Sequence, residues 1–179
     1  MELGDVIEIK NYKPVKIDQA KENGKYPFYN CSILGHLWSD KYLYEDEVLI
    51  MNKTNGSGKC NIYYNNGKFS ISGGVIIFKP INNININYLY YYLLSNKEKI
   101  SENFVGGDKK NLNMNGFKKL KIPIPSLEIQ NDIIKRIEKL NESGNHYIRY
   151  TEILNTEINN IMETIHGMTL IDNHLTESN

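Results

Sequence analysis

The chain has 179 residues, of which 40% are hydrophobic and 23% charged, with a formal net charge of zero. That length accommodates one domain with a real core plus an appended element, and the balance is that of a globular chain rather than a disordered or uniformly basic one. No apolar run approaches the ~20 residues of a membrane helix, residues 1–5 lack the basic and apolar stretches of a secretion signal, and a cytoplasmic protein with no membrane partner is expected.

In chain order, residues 6–9 are apolar and β-branched and predict a strand, and 47–51 form a compact apolar run that predicts another. Residues 61–64 predict a third, ended by Asn65-Asn66-Gly67-Lys68, a hairpin-type signal because Asn and Gly tolerate positive φ. Residues 69–72 then alternate with period two, Gly73-Gly74 interrupts, and 75–78 resume until Pro80 stops the strand. This spacing predicts an α+β fold whose front part is a twisted, mainly antiparallel, β-rich domain with a few helices.

A helix is expected over 87–102, with Tyr88, Leu89, Tyr92, Leu93 and Ile100 near one face. The tyrosines at 88, 90, 91 and 92 offer a tempting base-stacking platform, but on a helix they fit core packing with a wet edge better. Residues 104–112 form a glycine-hinged basic loop, and 120–125 are extended because each proline biases its predecessor towards β or polyproline geometry.

The last part changes character. Ser126 is an N-cap candidate. Ile133, Ile137, Leu140, Tyr147, Leu154, Ile158, Ile161 and Ile165 then recur at spacings of four and three, with Gly144 and Thr151 in the same register. A seam held in one phase for that long predicts a C-terminal coiled-coil helix. A helix over 127–165 would run ~60 Å, and a front domain with a radius of gyration of ~14 Å cannot cover it, so the seam is expected to need a partner. The competing arrangement breaks the helix at Ser143-Gly144-Asn145 into a hairpin that buries its own seam. The expected organisation is a domain over 1–125, a long helix over 126–166 and a polar, frayed tail over 167–179.

Charge is unevenly distributed. Residues 51–68 carry Lys53, Lys59 and Lys68 and no acid, and residues 106–121 carry Lys109, Lys110, Lys118, Lys119 and Lys121 against Asp108. From Glu128 onward nine acids face Lys135, Arg136, Lys139 and Arg149. A locally basic surface can thus meet a polyanion while the C-terminal part stays away from it.

Catalytic signatures are missing. There is neither the Asn/Asp-Pro-Pro-aromatic motif nor the glycine-rich cofactor loop of a methyltransferase. Gly56-Ser57-Gly58-Lys59-Cys60 lacks the frame and the Ser/Thr of a phosphate loop. Glu8-Ile9-Lys10 has too little chain before it to supply the second carboxylate of a nuclease site. His36, His146, His166 and His174 are scattered, and Cys31 and Cys60 lack metal-site spacing, so two buried free thiols and no metal or cofactor are expected.

Several segments together resemble one family. Leu3-Gly4-Asp5-Val6-Ile7-Glu8-Ile9 resembles the opening of a type I restriction–modification specificity-subunit recognition domain, and Gly24-Lys25-Tyr26-Pro27-Phe28-Tyr29 its next strand. Asp46-Glu47-Val48-Leu49-Ile50 with Gly56-Ser57-Gly58-Lys59 resembles the strand and glycine turn that follow, and residues 87–95 resemble the family's helix. Gly106-Gly107-Asp108-Lys109-Lys110-Asn111-Leu112 falls where the family has a Gly-Ser-x-Gln-x-Asn-like loop. Residues 120–130 resemble the Ile-Pro-x-Pro-x-x-x-x-Gln signature that leads into the long helix, with Ile124-Pro125 in place of the usual Pro-Pro.

The resemblance implies a non-catalytic DNA-recognition subunit. A full specificity subunit carries two recognition domains and two spacer helices, and one of each is seen here. The implied assembly is therefore a half-sized subunit that forms a homodimer, its helices antiparallel. It would read an inverted bipartite site on double-stranded DNA and dock methyltransferase (modification) and restriction subunits. The open alternatives are an interaction scaffold or methyltransferase decoy, and the recognition part of a larger restriction–methylation enzyme. On the first reading Lys53, Lys59, Lys109 and Lys110 contact phosphates, and Asn55, Ser57, Asn111 and Asn113 are candidates for base readout. Trp38, Tyr63 and Tyr64 can stack or wedge but fit packing better.

Overall fold

The computed structural model describes residues 1–142, with side chains through Lys139. The strands are β1 (Ile7–Lys10), β2 (Tyr26–Tyr29), β3 (Leu37–Ser39), β4 (Tyr44–Asn52), β5 (Thr54–Asn55), β6 (Ile62–Ile71), β7 (Val75–Pro80), β8 (Phe104–Val105) and β9 (Lys110–Leu112). The helices are α1 (Ile86–Ser95), α2 (Lys97–Ser101), α3 (Met114–Lys118) and α4 (Leu127–Glu142). The chain divides after Ile122 into two compact units. In the first, a six-stranded sheet runs β1-β7-β4-β6-β2-β3, and a three-stranded sheet runs β5-β9-β8. Every pairing between these strands is antiparallel except β2 with β6. The fold is thus mixed, with sheets and few helices, as the spacing predicts.

The apolar run of β4 is continuous because both its faces are covered. Val48 and Ile50 join Tyr29, Phe69, Ile71 and Ile77 in one buried cluster. Strand alternation turns Leu49 and Met51 to the other face, and both are fully buried there. On that face Phe78, paired with Leu49, meets Phe117 of α3 edge-on at 5.9 Å.

The sheet differs from expectation at Asn65-Asn66-Gly67-Lys68. These residues do not turn a hairpin; they lie inside β6, in unbroken register with β4 from Tyr44↔Phe69 to Met51↔Ile62. Buried pairing overrides the local turn preference, since Phe69 and Ile71 on the far side of the signal are 0% and 2% exposed. The glycine still has work. Phe69 lies opposite Tyr44, and the Gly74 carbonyl accepts from the Lys53 amide at 2.8 Å. A straight strand from Tyr44 to Lys53 would span ~30 Å, whereas the chain from Phe69 to Gly74 reaches ~18 Å at most. The sheet must therefore bend, and Gly67 at φ 118° breaks the extended geometry where a side chain would be strained.

A polar stitch holds this bend. The buried Asn65 amide donates to the carbonyls of Asp46 and Gly67 at 3.0 Å each, and its oxygen accepts from Tyr29 Oη at 3.1 Å. The Asp46 carboxylate accepts from Lys79 Nζ at 2.6 Å and from Tyr12 Oη. Burial pushes that carboxyl up, but the hydrogen bonds from Lys79, Tyr12 and the Glu47 amide outweigh it and hold it below the usual range. A carboxyl depressed in the folded state stabilises above its unfolded pKa of about 3.9, and the gain is lost as pH falls through the folded value. Urea titrations of wild type and Asp46→Asn are expected to show a wild-type advantage at pH 7 that fades below about pH 4. An advantage that persists undiminished at pH 2 would remove Asp46 from this role.

The helix expected over 87–102 is two helices. Asn85 caps α1 by accepting from the Asn87 amide, and Asn96 ends it at φ −105°, its Nδ2 donating to the Tyr92 carbonyl. Of the predicted inner face, Tyr88, Leu89, Leu93 and Ile100 are buried and Tyr92 is half-buried. The tyrosine run packs rather than presenting a platform, since Tyr88 is core and Tyr92 Oη donates to the Lys121 carbonyl at 2.9 Å.

In the second unit α4 starts where Ser126 was expected to cap it: Ser126 Oγ accepts from the Ile129 amide at 3.4 Å. Gln130 is fully buried, and its Nε2 donates to the Pro125 carbonyl at 2.8 Å. That gives the Pro-x-x-x-x-Gln spacing a physical content: the glutamine ties the helix back to the extended segment before it. Arg136 and Asp132 pair along the helix at 2.8 Å. Of the expected seam, Ile133 and Ile137 are 4% and 5% exposed. The side chains of Leu140, Tyr147, Leu154, Ile158, Ile161 and Ile165 lie outside the described residues, as do Gly144 and the 167–179 tail.

Candidate nucleic-acid interface

β4 ends at Asn52, which is 1% exposed and organises the loop that follows. Its Oδ1 accepts from the Asn61 amide at 2.7 Å and its Nδ2 donates to the Lys59 carbonyl at 3.0 Å. Asn55 does the same from within the loop. Its Oδ1 accepts from the Gly58 amide at 2.6 Å and from Ser57 Oγ at 3.3 Å, while its Nδ2 donates to the Lys59 carbonyl at 2.8 Å. Ser57 Oγ in turn accepts from the Lys59 amide at 3.2 Å, and Ser101 Oγ of α2 accepts from the Cys60 amide at 2.9 Å. Lys53 and Lys59 thus project from a hydrogen-bonded turn.

The second basic segment joins the first through the small sheet. Thr54 pairs with Asn111 and Asn55 with Lys110, and the Leu112 amide donates to the Lys53 carbonyl at 2.8 Å. The stem of Lys110 lies over Gly58, where a Cβ would meet Lys110 Cδ at 2.7 Å, and Gly58 has φ 71°. The loops also approach at Gly56, whose Cβ would lie 3.4 Å from the Asp108 carbonyl. Two segments some 50 positions apart in sequence therefore make one surface. It carries exposed Lys53, Lys59 and Lys109 and half-buried Lys110. None of the four is in an ion pair with another described residue.

The other lysines of the two basic stretches sit elsewhere. Lys68 stands over the Tyr42 ring at 4.5 Å, Lys118 packs against Gly4, and Lys121 pairs with Glu2 at 3.0 Å. Ser57 and Asn111 are exposed on the joint surface. Asn55 is half-buried with its amide spent on the loop, so it acts here as a loop builder. Asn113 caps α3, accepting from the amides of Asn115 and Gly116 at 3.2 Å each. Tyr64 donates to Glu47 at 2.7 Å, and Tyr63 and Trp38 belong to a ring cluster with Tyr29 and His36. Burial lowers the His36 pKa. Burial also pushes the Cys60 thiol up to about 12, while Cys31 is only half-buried. Sequence reasoning missed Thr54, at the centre of the joint. Its Oγ1 is the one buried side-chain oxygen or nitrogen without a partner among the described residues. Its position between Lys53 and Asn55, in a residue type favoured in strands, was the available signal.

A β-rich domain that gathers unpaired lysines from two loops onto one surface, with a separate helical unit after it, has the build of a polyanion-binding module. The profile of the type I restriction modification DNA specificity domain matches residues 1–161, and the chain belongs to that family. The family is that of the specificity subunits of type I systems, which are non-catalytic. The chain is 26% identical over 140 residues to the type I restriction enzyme EcoDI specificity subunit of Escherichia coli, covering 78% of this chain and 30% of that one. It therefore spans about a third of that relative's length. The fold is similar to the crystal structure of a type I restriction–modification S subunit from M. genitalium, with a TM-score of 0.66 at 16% identity over 79% of this chain and 38% of that one. It is also similar to a chain from a study of complex assembly and conformational transition of the type I system, with a TM-score of 0.58 at 16% identity, covering 92% and 43% of the two chains. No helix among the described residues is long and apolar enough to cross a membrane.

Proposed function

We propose that this chain reads DNA for a type I restriction–modification system, with the surface made by β5, β9 and their loops against the phosphates. The observation that carries the reading is the β5–β9 pairing, which brings Lys53 and Lys59 beside Lys109 and Lys110. Lysine contacts to phosphate fix register and supply sequence-independent affinity, and exposed Ser57 and Asn111 stand among them as candidates for base edges. The chemistry of methyl transfer and cleavage belongs to modification and restriction subunits that dock on it. Two copies paired through the seam would present two inverted half-sites at a spacing set by the helix. Support for that assembly is the regular spacing of the seam from Ile133 to Ile165.

The test is co-expression with a modification subunit of a type I system, followed by mapping of methylated sites and measurement of the mass of the free chain in solution. An inverted bipartite motif and a dimeric mass are expected. An asymmetric motif would rule out the symmetric dimer, and binding to duplex DNA that does not weaken with salt would overturn the phosphate face itself.

A further inference from the structure

We propose that Leu34, at the tip of the loop between β2 and β3, is a specificity-determining apolar contact to the bases of the DNA duplex. The proposal rests on the reading of the lysine surface as the phosphate face. Leu34 is 94% exposed and Ile33 beside it 39%. A scattered exposed leucine is ordinary on a protein surface. This one sits on a loop fixed at both ends. On the entry side Asn30, 5% exposed, accepts from the Ser32 amide at 2.7 Å, and Ser32 Oγ accepts from the Leu34 amide at 3.1 Å. On the exit side His36 packs its ring 5.4 Å from Tyr29 and 4.9 Å from Trp38. Between the two, Gly35 turns the chain at φ 131° with open space around it. The tip is held out to solvent rather than left to collapse onto the sheet.

Its place in the fold names the occupant. Cys31, where the loop begins, and Thr54, between Lys53 and Asn55, both lie within 3.0 Å of the point a Gly74 Cβ would fill. The loop thus leaves the body at the edge of the lysine surface. Three residues reach ~10 Å, and the major groove is ~12 Å wide. A duplex whose phosphates meet Lys53 and Lys59 brings a groove within reach of Leu34. An apolar side chain there discriminates by contact with thymine methyls, which the polar groups of the lysine surface do not read. Apolar chemistry with a polyanion-binding rim fits duplex DNA better than an apolar protein partner.

The experiment uses the full-length chain and a randomised duplex library, with wild type and Leu34→Ser carried through the same selection. Salt dependence is measured in parallel on an unselected duplex. Wild type is expected to enrich a motif. Leu34→Ser is expected to relax that motif at the thymine-bearing positions and to bind the wild-type motif roughly tenfold more weakly, with the salt slope on unselected duplex unchanged. Because Leu34 is exposed, the variant's thermal midpoint should match wild type, which separates loss of contact from loss of fold. An unchanged motif from a variant that still binds with the wild-type salt slope overturns the role of Leu34 and leaves the lysine surface standing. A wild type that binds with a salt slope yet enriches no motif also overturns it. A wild type that shows no salt-dependent binding overturns both readings together.

Discussion

Replacing Lys53, Lys59 and Lys109 by Ala and Lys110 by Met in one chain is expected to weaken binding to any duplex on the order of a thousandfold at 0.1 M salt. Each lysine that neutralises a phosphate contributes about 0.9 to the slope of log K against log salt, so four lost contacts flatten the slope by about 3.6. The single change Lys109→Ala should flatten it by about 0.9 and weaken all sequences alike. Met is chosen at position 110 because the Lys110 stem covers Gly58, and Ala would open that contact as well as remove the charge. The other three are exposed and outside any ion pair with a described residue, so the fold should tolerate their loss. The control is Lys118→Ala with Lys119→Ala. Those lysines lie within ten positions of Lys110 but sit at the end of α3, where Lys118 packs against Gly4. Equal flattening by the control pair, measured by fluorescence anisotropy across a salt series, would mean that DNA does not lie on the β5–β9 surface.

That contrast also shows which parts of the site were legible in sequence. Two basic segments and the residue types in them were visible, because charge and glycine hinges are local properties. That they form one surface was not, because the link is a two-residue strand, Thr54–Asn55, pairing with Lys110–Leu112, and strands that short leave no periodicity. The same gap explains the amides. Asn55, Asn111 and Asn113 are one residue type, yet Asn55 builds a loop and Asn113 caps a helix, while Asn111 is exposed on the joint surface. Only the backbone geometry around each decides which amide is spent locally. Strands with alternating or continuous apolar residues, β1, β4 and β7, were readable for the converse reason: each carries a local apolar run that becomes its buried part. The parallel pairing of β2 with β6 joins strands far apart in the chain and had no local signature.

The misread turn at Gly67 bears on the second large expectation. Had Asn65-Asn66-Gly67-Lys68 closed a hairpin, Phe69 would have begun a new strand with one face free, and truncating it would cost little. In β6 it is instead fully buried, with the rings of Tyr12, Tyr29 and Tyr44 at 5.9, 6.1 and 5.8 Å. Phe69→Ala removes the shared neighbour of those three rings, at a cost of about 3–5 kcal/mol in transfer and cavity terms. Against a typical domain stability of about 5–15 kcal/mol, that is a large fraction of the whole. The denaturation midpoint should fall steeply with the urea m-value unchanged. Tyr29 carries the effect outward: it ends β2, bonds Asn65 at the sheet's bend, and stands immediately before Asn30, which anchors the Leu34 loop. A Phe69→Ala chain that remains folded should therefore also lose sequence discrimination while keeping its salt-dependent affinity. A measured loss below about 1 kcal/mol would match an edge position rather than a core one, and would mean that β6 does not run unbroken through Gly67.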